Sequence, residues 1–172
     1  MVQWEVYDGG LDEFPWWWVA LENVQLLVYW GVGFLGMYWL KAGAWPVASI
    51  VYAAFIVVVV GIALKKHNCS TCYYYGRWCH LGWGKLAAMM FARDAGNRDF
   101  GAKLSIAYPL IAFIPPLAMA VSLVIEFRTV VLVCLVVYLA WGMAQFAMRK
   151  RSCARCRIRY SCGGSAAGKA AE

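Results

Sequence analysis

Charge is scarce in this sequence. Of 172 residues, 15% are Asp, Glu, Lys or Arg, 63% are hydrophobic, and the mean hydropathy is +0.60. A soluble domain of this length would have to expose large apolar areas, so composition excludes a water-soluble fold and implies a membrane protein. Acids are rarer than bases, nine against sixteen. Four of the nine, Glu5, Asp8, Asp12 and Glu13, fall in the opening stretch, which holds no base. A secretory leader begins with positive charge, so no cleavable signal is expected. Histidine is nearly absent: His67 and His80 are the two, and both lie outside the apolar runs, which excludes a haem held between membrane-spanning histidines. The sequence also lacks a phosphate-cradling glycine loop, a Gly-x-Ser-x-Gly turn, a zinc-protease helix and paired carboxylates in one span.

What is present in quantity is apolar chain. Runs at Trp16 to Leu40, Ala44 to Leu64, Leu104 to Ile125 and Thr129 to Met148 each approach the roughly 20 residues that cross about 30 Å of hydrocarbon as helix. The fold class expected is an all-α integral membrane protein with four transmembrane helices. Its parts are an acidic interfacial segment (1–15), a first hairpin (16–64), a loop (65–103), a second hairpin (104–148) and a tail (149–172). Lys and Arg are counted in the loops: seven lie in Lys65 to Lys103, seven follow the fourth run, and only Lys41 and Arg128 lie on the other side. The positive-inside rule then puts both termini and the loop in the cytoplasm, in a plasma (inner) membrane. The basic excess there suits anionic lipid headgroups, at about 1 kcal/mol per residue near the surface, rather than nucleic acid.

Along the chain, Met1 to Pro15, with Trp4 and Tyr7, is expected either to lie on the interface or to fold back on the basic face. Trp16, Trp17 and Trp18 suit the headgroup boundary. Glu22 is the one carboxylate inside a predicted span, about 9 Å in at roughly 1.5 Å per residue. Such a group is either an intramembrane proton or ion site or a headgroup-level side chain bonded to a base. Gly31, Gly33 and Gly36 mark close helix packing. The second run, with Val57 to Val60 unbroken, carries no evident chemistry. Pro109, Pro115 and Pro116 in the third predict a kink whose freed carbonyls need partners. Glu126, Phe127 and Arg128 make a tight outer turn. Cys134 is isolated and apolar in setting, and Gln145 is a candidate for a hydrogen bond with a neighbour. Leu81 to Ala95 reads as an interfacial helix with Leu86, Met89, Met90 and Phe91 on its apolar side. The stretch beyond Cys162 reads as disordered.

The strongest pattern is in the cysteines. Lys65 to Lys85, KKHNCSTCYYYGRWCHLGWGK, holds Cys69, Cys72 and Cys79; Arg149 to Cys162, RKRSCARCRIRYSC, holds Cys153, Cys156 and Cys162. Each Cys-x2-Cys-x5/6-Cys triad follows a basic cluster and a pair of apolar runs. A Gly-Lys pair recurs after the third cysteine in each. The expectation is two duplicated hairpins, each followed by a cytoplasmic cysteine knuckle, related by an axis along the membrane normal. A Cys-x2-Cys turn aims two sulfurs at one point, and thiolates in a reducing cytosol serve as metal ligands or redox groups more often than as disulfides. Candidate ligands are Cys69, Cys72, Cys79, Cys153, Cys156 and Cys162, with His67 and His80. They could form a shared binuclear zinc site, two sites of three sulfurs and a nitrogen, one four-sulfur site, or a [4Fe-4S] cluster with Tyr73, Tyr74, Tyr75, Trp78 and Trp83 as a dry shell. Interfacial anchoring is the plainer reading of those aromatics.

The spacing of the two triads resembles that of the fungal binuclear zinc-cluster regulators, in which six cysteines hold two zinc ions through bridging sulfurs. The resemblance covers the two short stretches alone, and what it implies is the coordination arithmetic, not DNA reading. In size and helix count the chain is similar to the four-helix disulfide-generating membrane oxidoreductases, although their cysteines lie on the outer side. Three functions are therefore open. They are a zinc-clamped membrane scaffold that binds a membrane or cytoplasmic protein partner, an iron-sulfur electron carrier acting with a quinone or redox complex, and a thiol-disulfide oxidoreductase whose thiols are activated by nearby Arg and Lys.

Overall fold

The computed structural model describes residues 5–162 and 164–167; Trp4 and the second Gly-Lys pair, Gly168 and Lys169, lie outside them. Helix α1 runs Trp16–Met37 and begins directly after Pro15, whose fixed φ suits a helix start. Helix α2 (Val47–Phe55) follows Pro46 and widens into π-helical turns over Ile56–Ala63 and again over Lys65–Cys69. A loop carries the short α3 (Trp83–Met90). Then α4 (Arg98–Leu104) leads into α5 (Ala107–Ile125), and α6 spans Thr129–Ala154. Among the described residues there is no β-strand, only isolated bridges at Leu11 with Cys156 and Ala42 with Trp45.

Four helical stretches are long and apolar enough to cross a membrane: Trp16–Met37, Val47–Cys69, Arg98–Ile125 and Thr129–Ala154. Between 11% and 28% of their most apolar windows is buried, so the hydrophobic side chains mostly face outward, where hydrocarbon would cover them. Spans two, three and four extend past their expected limits. The second runs on to Cys69 and the fourth through the basic Arg149, Lys150 and Arg151 to Ala154, because a helix has no reason to stop where hydropathy does. The interfacial helix is shorter than Leu81 to Ala95: Phe91 takes an extended backbone and ends it after Met90. Its Leu86, Met89 and Met90 are exposed.

Helix α1 touches each of the other three spans. Two of its small residues permit this: Gly33 lies against the Tyr138 and Tyr52 rings, and Gly36 against Met119, where an added side chain would force that methionine aside; Gly31, expected to do the same, faces open space. Tyr29 stacks on Tyr138 at 4.2 Å between centroids. The outer turn is closed by Arg128 bonded to Glu126 at 2.6 Å. Gln145 makes no such bond, and its Oε1 is buried without a partner among the described residues.

Prolines 115 and 116 lie inside α5, and each removes the N–H that would have bonded the carbonyl four residues earlier, at Ile111 and Ala112. The buried Tyr138 of α6 replaces them, its hydroxyl donating to Ile111 O at 2.9 Å and approaching Ala112 O at 3.4 Å. A carbonyl left unpaired in such surroundings costs about 1–3 kcal/mol. Replacing Tyr138 with Phe is therefore expected to lower stability by about that amount, read by denaturant unfolding of the detergent-solubilised protein. Unchanged stability would mean that the proline-freed carbonyls find another donor.

Candidate functional site: a cysteine-lined cavity

Both triads begin in the last turn of a long helix, Cys69 closing the second span and Cys153 just inside the end of α6. The same turn follows each: Cys72 N–H donates to Cys69 O at 3.3 Å and Cys156 N–H to Cys153 O at 3.1 Å. Since both helices finish at the same end of the bundle, the turns face each other. Cys69, Cys72, Cys79, Cys153, Cys156 and Cys162 all line one cavity of about 270 Å³. That is an order of magnitude above the roughly 10–15 Å³ that admits a water. His80 lines it too, with Tyr74, Trp83, Tyr108, Arg149 and Arg159. His67 is not in the wall. Its Nδ1 accepts from Asn97 N–H at 3.0 Å, and its ring meets Phe100 edge-on. Cys134 lies apart, packed beside Tyr29, Met119 and Tyr138. Among the described residues no three His, Cys, Asp or Glu side chains stand close enough to hold a single ion. The six sulfurs surround a volume and do not converge on a point.

The acidic N-terminal segment folds back on the basic tail. Tyr7 N–H donates to Arg157 O at 2.7 Å and Leu11 N–H to Arg155 O at 2.9 Å, while Arg157 pairs with Asp12 at 3.1 Å. Hydrogen bonding from Tyr73, then Arg157, holds the Asp12 carboxyl below its ordinary value. Tyr74 is the pin. Its hydroxyl donates to Leu11 O at 2.5 Å and accepts from Arg157 N–H at 3.0 Å, and Phe14 and Ile158 pack with its ring. Interfacial anchoring therefore does not describe Tyr74, and its neighbours are tied into the fold as well. Tyr74 is buried, Tyr73 donates to Asp12 at 3.0 Å and Tyr75 to Phe91 O at 2.9 Å. The run braces the loop against its neighbours.

Glu22 is buried at 2% exposure, two turns into α1. Both of its oxygens are engaged. Oε1 accepts from Trp18 Nε1 at 2.7 Å and from the Ser152 hydroxyl, and Oε2 faces His80 Nδ1 at 2.6 Å. Helix α1 begins at Trp16, so Glu22 lies well inside it, and the base it meets is a loop histidine 58 positions away. Lys65, counted above with the loop, is instead buried in the second span, its ammonium 3.8 Å from the centroid of the Trp83 ring. That ring also borders a second cavity, of about 400 Å³, between α1 and the π-helical stretch, where Leu26, Trp30, Val60 and Lys65 line it. The second span thus carries more chemistry than its valine run announces.

Burial outweighs the influence of neighbouring Arg and Lys on the described thiols of the loop and tail. Burial, the largest cause in each case, pushes Cys72, Cys79, Cys156 and Cys162 above the ordinary value, and neighbouring sulfurs add to the shift at Cys72, Cys156 and Cys162. The Arg149 guanidinium offsets only part of this at Cys162. Cys156 is pushed up to about 12 from an ordinary 9.0, so its thiolate fraction at pH 7 falls about a thousandfold. A raised thiol favours the folded state only while protonated, so this contribution is intact below 9.0 and is lost as pH climbs toward about 12. No known protein family, no characterised protein and no solved structure matches the chain. With chelator present, iodoacetamide is expected to alkylate these cysteines far more slowly at pH 7 than it does a free cysteine, and faster as pH rises past 9. Free-cysteine rates at pH 7, followed by mass spectrometry, would show that the thiols are activated after all.

Proposed function

We propose that the two cysteine segments jointly hold a polynuclear metal-thiolate centre. In the first reading the metal is zinc, and the centre clamps a four-helix membrane scaffold for binding a partner protein. The observation that carries this is the single cavity to which both triads contribute every cysteine. Three physical points support it. Six thiols around one cavity exceed the four ligands of a single tetrahedral ion and are enough for more than one metal atom if sulfurs are shared. Thiolate ligands outweigh the cations they bind in such a centre, leaving it anionic, and Arg149 and Arg159 in the wall have no carboxylate partner among the described residues. The aromatic wall of Tyr74, Trp83 and Tyr108 keeps water away, which strengthens the attraction of thiolate for cation.

In this reading the basic, cysteine-bearing end faces the cytoplasm and anionic headgroups, in keeping with the loop charges. The repeated helix-end turn at Cys69 and Cys153 supports an origin by duplication. A second reading, an iron-sulfur carrier, is favoured by one specific feature: Trp83 stands between the cysteine cavity and the lipid-side cavity beside Lys65. A quinone bound in the latter would lie one side chain from the centre.

Purification without oxygen, followed by metal analysis and a visible spectrum, separates the readings. Stoichiometric zinc in a colourless protein is the expected result, and broad absorption near about 400 nm with iron would establish the second reading instead. A shared centre also makes each triad depend on the other. Replacing Cys153 with Ser is expected to lower total metal and to expose Cys69 and Cys72 to alkylation; metal retained undiminished at the first triad would mean independent sites.

A further inference from the structure

Buried carboxylates at the end of a membrane helix are costly, and this one is held with unusual care. Glu22 Oε1 takes the indole N–H of Trp18 and the hydroxyl of Ser152, the residue before Cys153. Trp18 also donates to Ser152 Oγ at 2.8 Å, so the three side chains lock one another. Oε2 is left for a single partner, the Nδ1 of His80, the residue after Cys79. Phe14 packs against the same imidazole, ring centroids 5.9 Å apart. The ring itself is part of the cysteine cavity's wall.

A carboxylate accepts and does not donate, so the nitrogen facing it carries a proton, and Nε2 is the ring nitrogen left to meet a metal. The hydrogen bond that His80 makes among the described residues is at Nδ1, not Nε2, and Nε2 belongs to a ring bordering the space that the six sulfurs surround. Carboxylate to Nδ1–H, with Nε2 on a metal, is the arrangement by which proteins fix the tautomer of a ligating histidine and raise its basicity.

Resting on the metal reading above, the geometry points to Nε2 of His80 as a nitrogen ligand of the centre, with Glu22 as its positioning residue and Trp18 and Ser152 fixing that carboxylate. The adjacent Cys79 and His80 then serve different metal atoms, which removes the strain of chelating one ion from neighbouring residues. His67, outside the cavity, has no part. In this arrangement Glu22 supports the metal centre.

Glu22→Gln tests this with little change of shape. Trp18 can only donate, so it selects the amide oxygen, and the amide NH2 turns toward His80. Nδ1 must then accept, the proton moves to Nε2, and that nitrogen can no longer bind a metal. Because the chain has two histidines, nitrogen-15 spectra of histidine-labelled protein resolve both rings, and His80→Ala identifies which is which. In zinc-loaded wild-type protein His80 should show a protonated Nδ1 and an Nε2 resonance that moves when a chelator strips the zinc, while His67 stays put. In the Gln variant the tautomer should invert, the Nε2 response to zinc should vanish, and zinc should bind about 10–100-fold more weakly while sulfur ligation persists. A variant that is merely less well packed would lose affinity without inverting the tautomer, and that result would overturn the positioning role. A His80 Nε2 indifferent to zinc in the wild type, with zinc bound, would overturn the inference and leave a sulfur-only centre. Wild-type protein that binds no zinc would overturn both.

Discussion

One buried hydroxyl, that of Tyr74, joins three stretches of chain that are remote in sequence. It donates to the carbonyl of Leu11 and accepts the N–H of Arg157 while standing between Cys72 and Cys79. The N-terminal segment, the first triad and the second triad therefore share one fixed point. Around it the core is a small apolar cluster of Phe14, Val19, Tyr74 and Ile158, with cysteines packed against it. The four spans bring the helix ends to the same side, because an even number of crossings from an N-terminal segment returns the tail beside it. They do not bring sulfur to sulfur. That requires the loop to fold inward and the tail to be strapped down, and Tyr74 takes part in both. Removing its hydroxyl would take away both hydrogen bonds, and with them two of the ties between the N-terminal segment, the loop and the tail, in one step.

How much of this was legible beforehand follows from which signals are local. Four spans could be read from hydropathy, since hydrocarbon imposes length and composition on any helix crossing it. The ends could not. Arg149 to Arg151 continue α6 and Lys65 continues the second span, because charged residues with long stems form helix well and can bury those stems. The six cysteines were legible from spacing alone, and the cavity gathers all of them. His67 and His80 looked equivalent in sequence, and the structure separates them. His80 reaches Glu22 across 58 residues, a contact no periodicity encodes. The role of Tyr74 was not legible, because aromatics near a predicted interface are usually anchors; the structure gives each hydroxyl of the run a specific acceptor elsewhere in the fold and buries Tyr74. The prolines were legible as a source of freed carbonyls, and Tyr138 as their donor was not.

The pattern of burial also orders the functional readings. Thiol-disulfide exchange needs a thiolate that is exposed and depressed in pKa, and burial moves Cys72, Cys79, Cys156 and Cys162 the other way. Coordination needs something different: sulfurs screened from water, which release their protons only to a cation. A raised thiol is a poor nucleophile at neutral pH and still a competent ligand, because the metal supplies the charge that the apolar wall withholds.

That distinction bears on why arginines and thiols are packed together at all. With the sulfurs protonated, Arg149 and Arg159 line the cavity as cations without carboxylates among the described residues. They rest on Gly164 O and Ala154 O and on the faces of Tyr108, Tyr7 and Tyr160. Carbonyls and ring faces temper the cost of burying a guanidinium but do not neutralise it. An anionic metal-thiolate centre would neutralise it, and the same guanidiniums would then stabilise the bound form over the free one. The free energy of coordination and that of closing the loop and tail over the bundle end would become one quantity, so metal loading and folding of this end should rise and fall together.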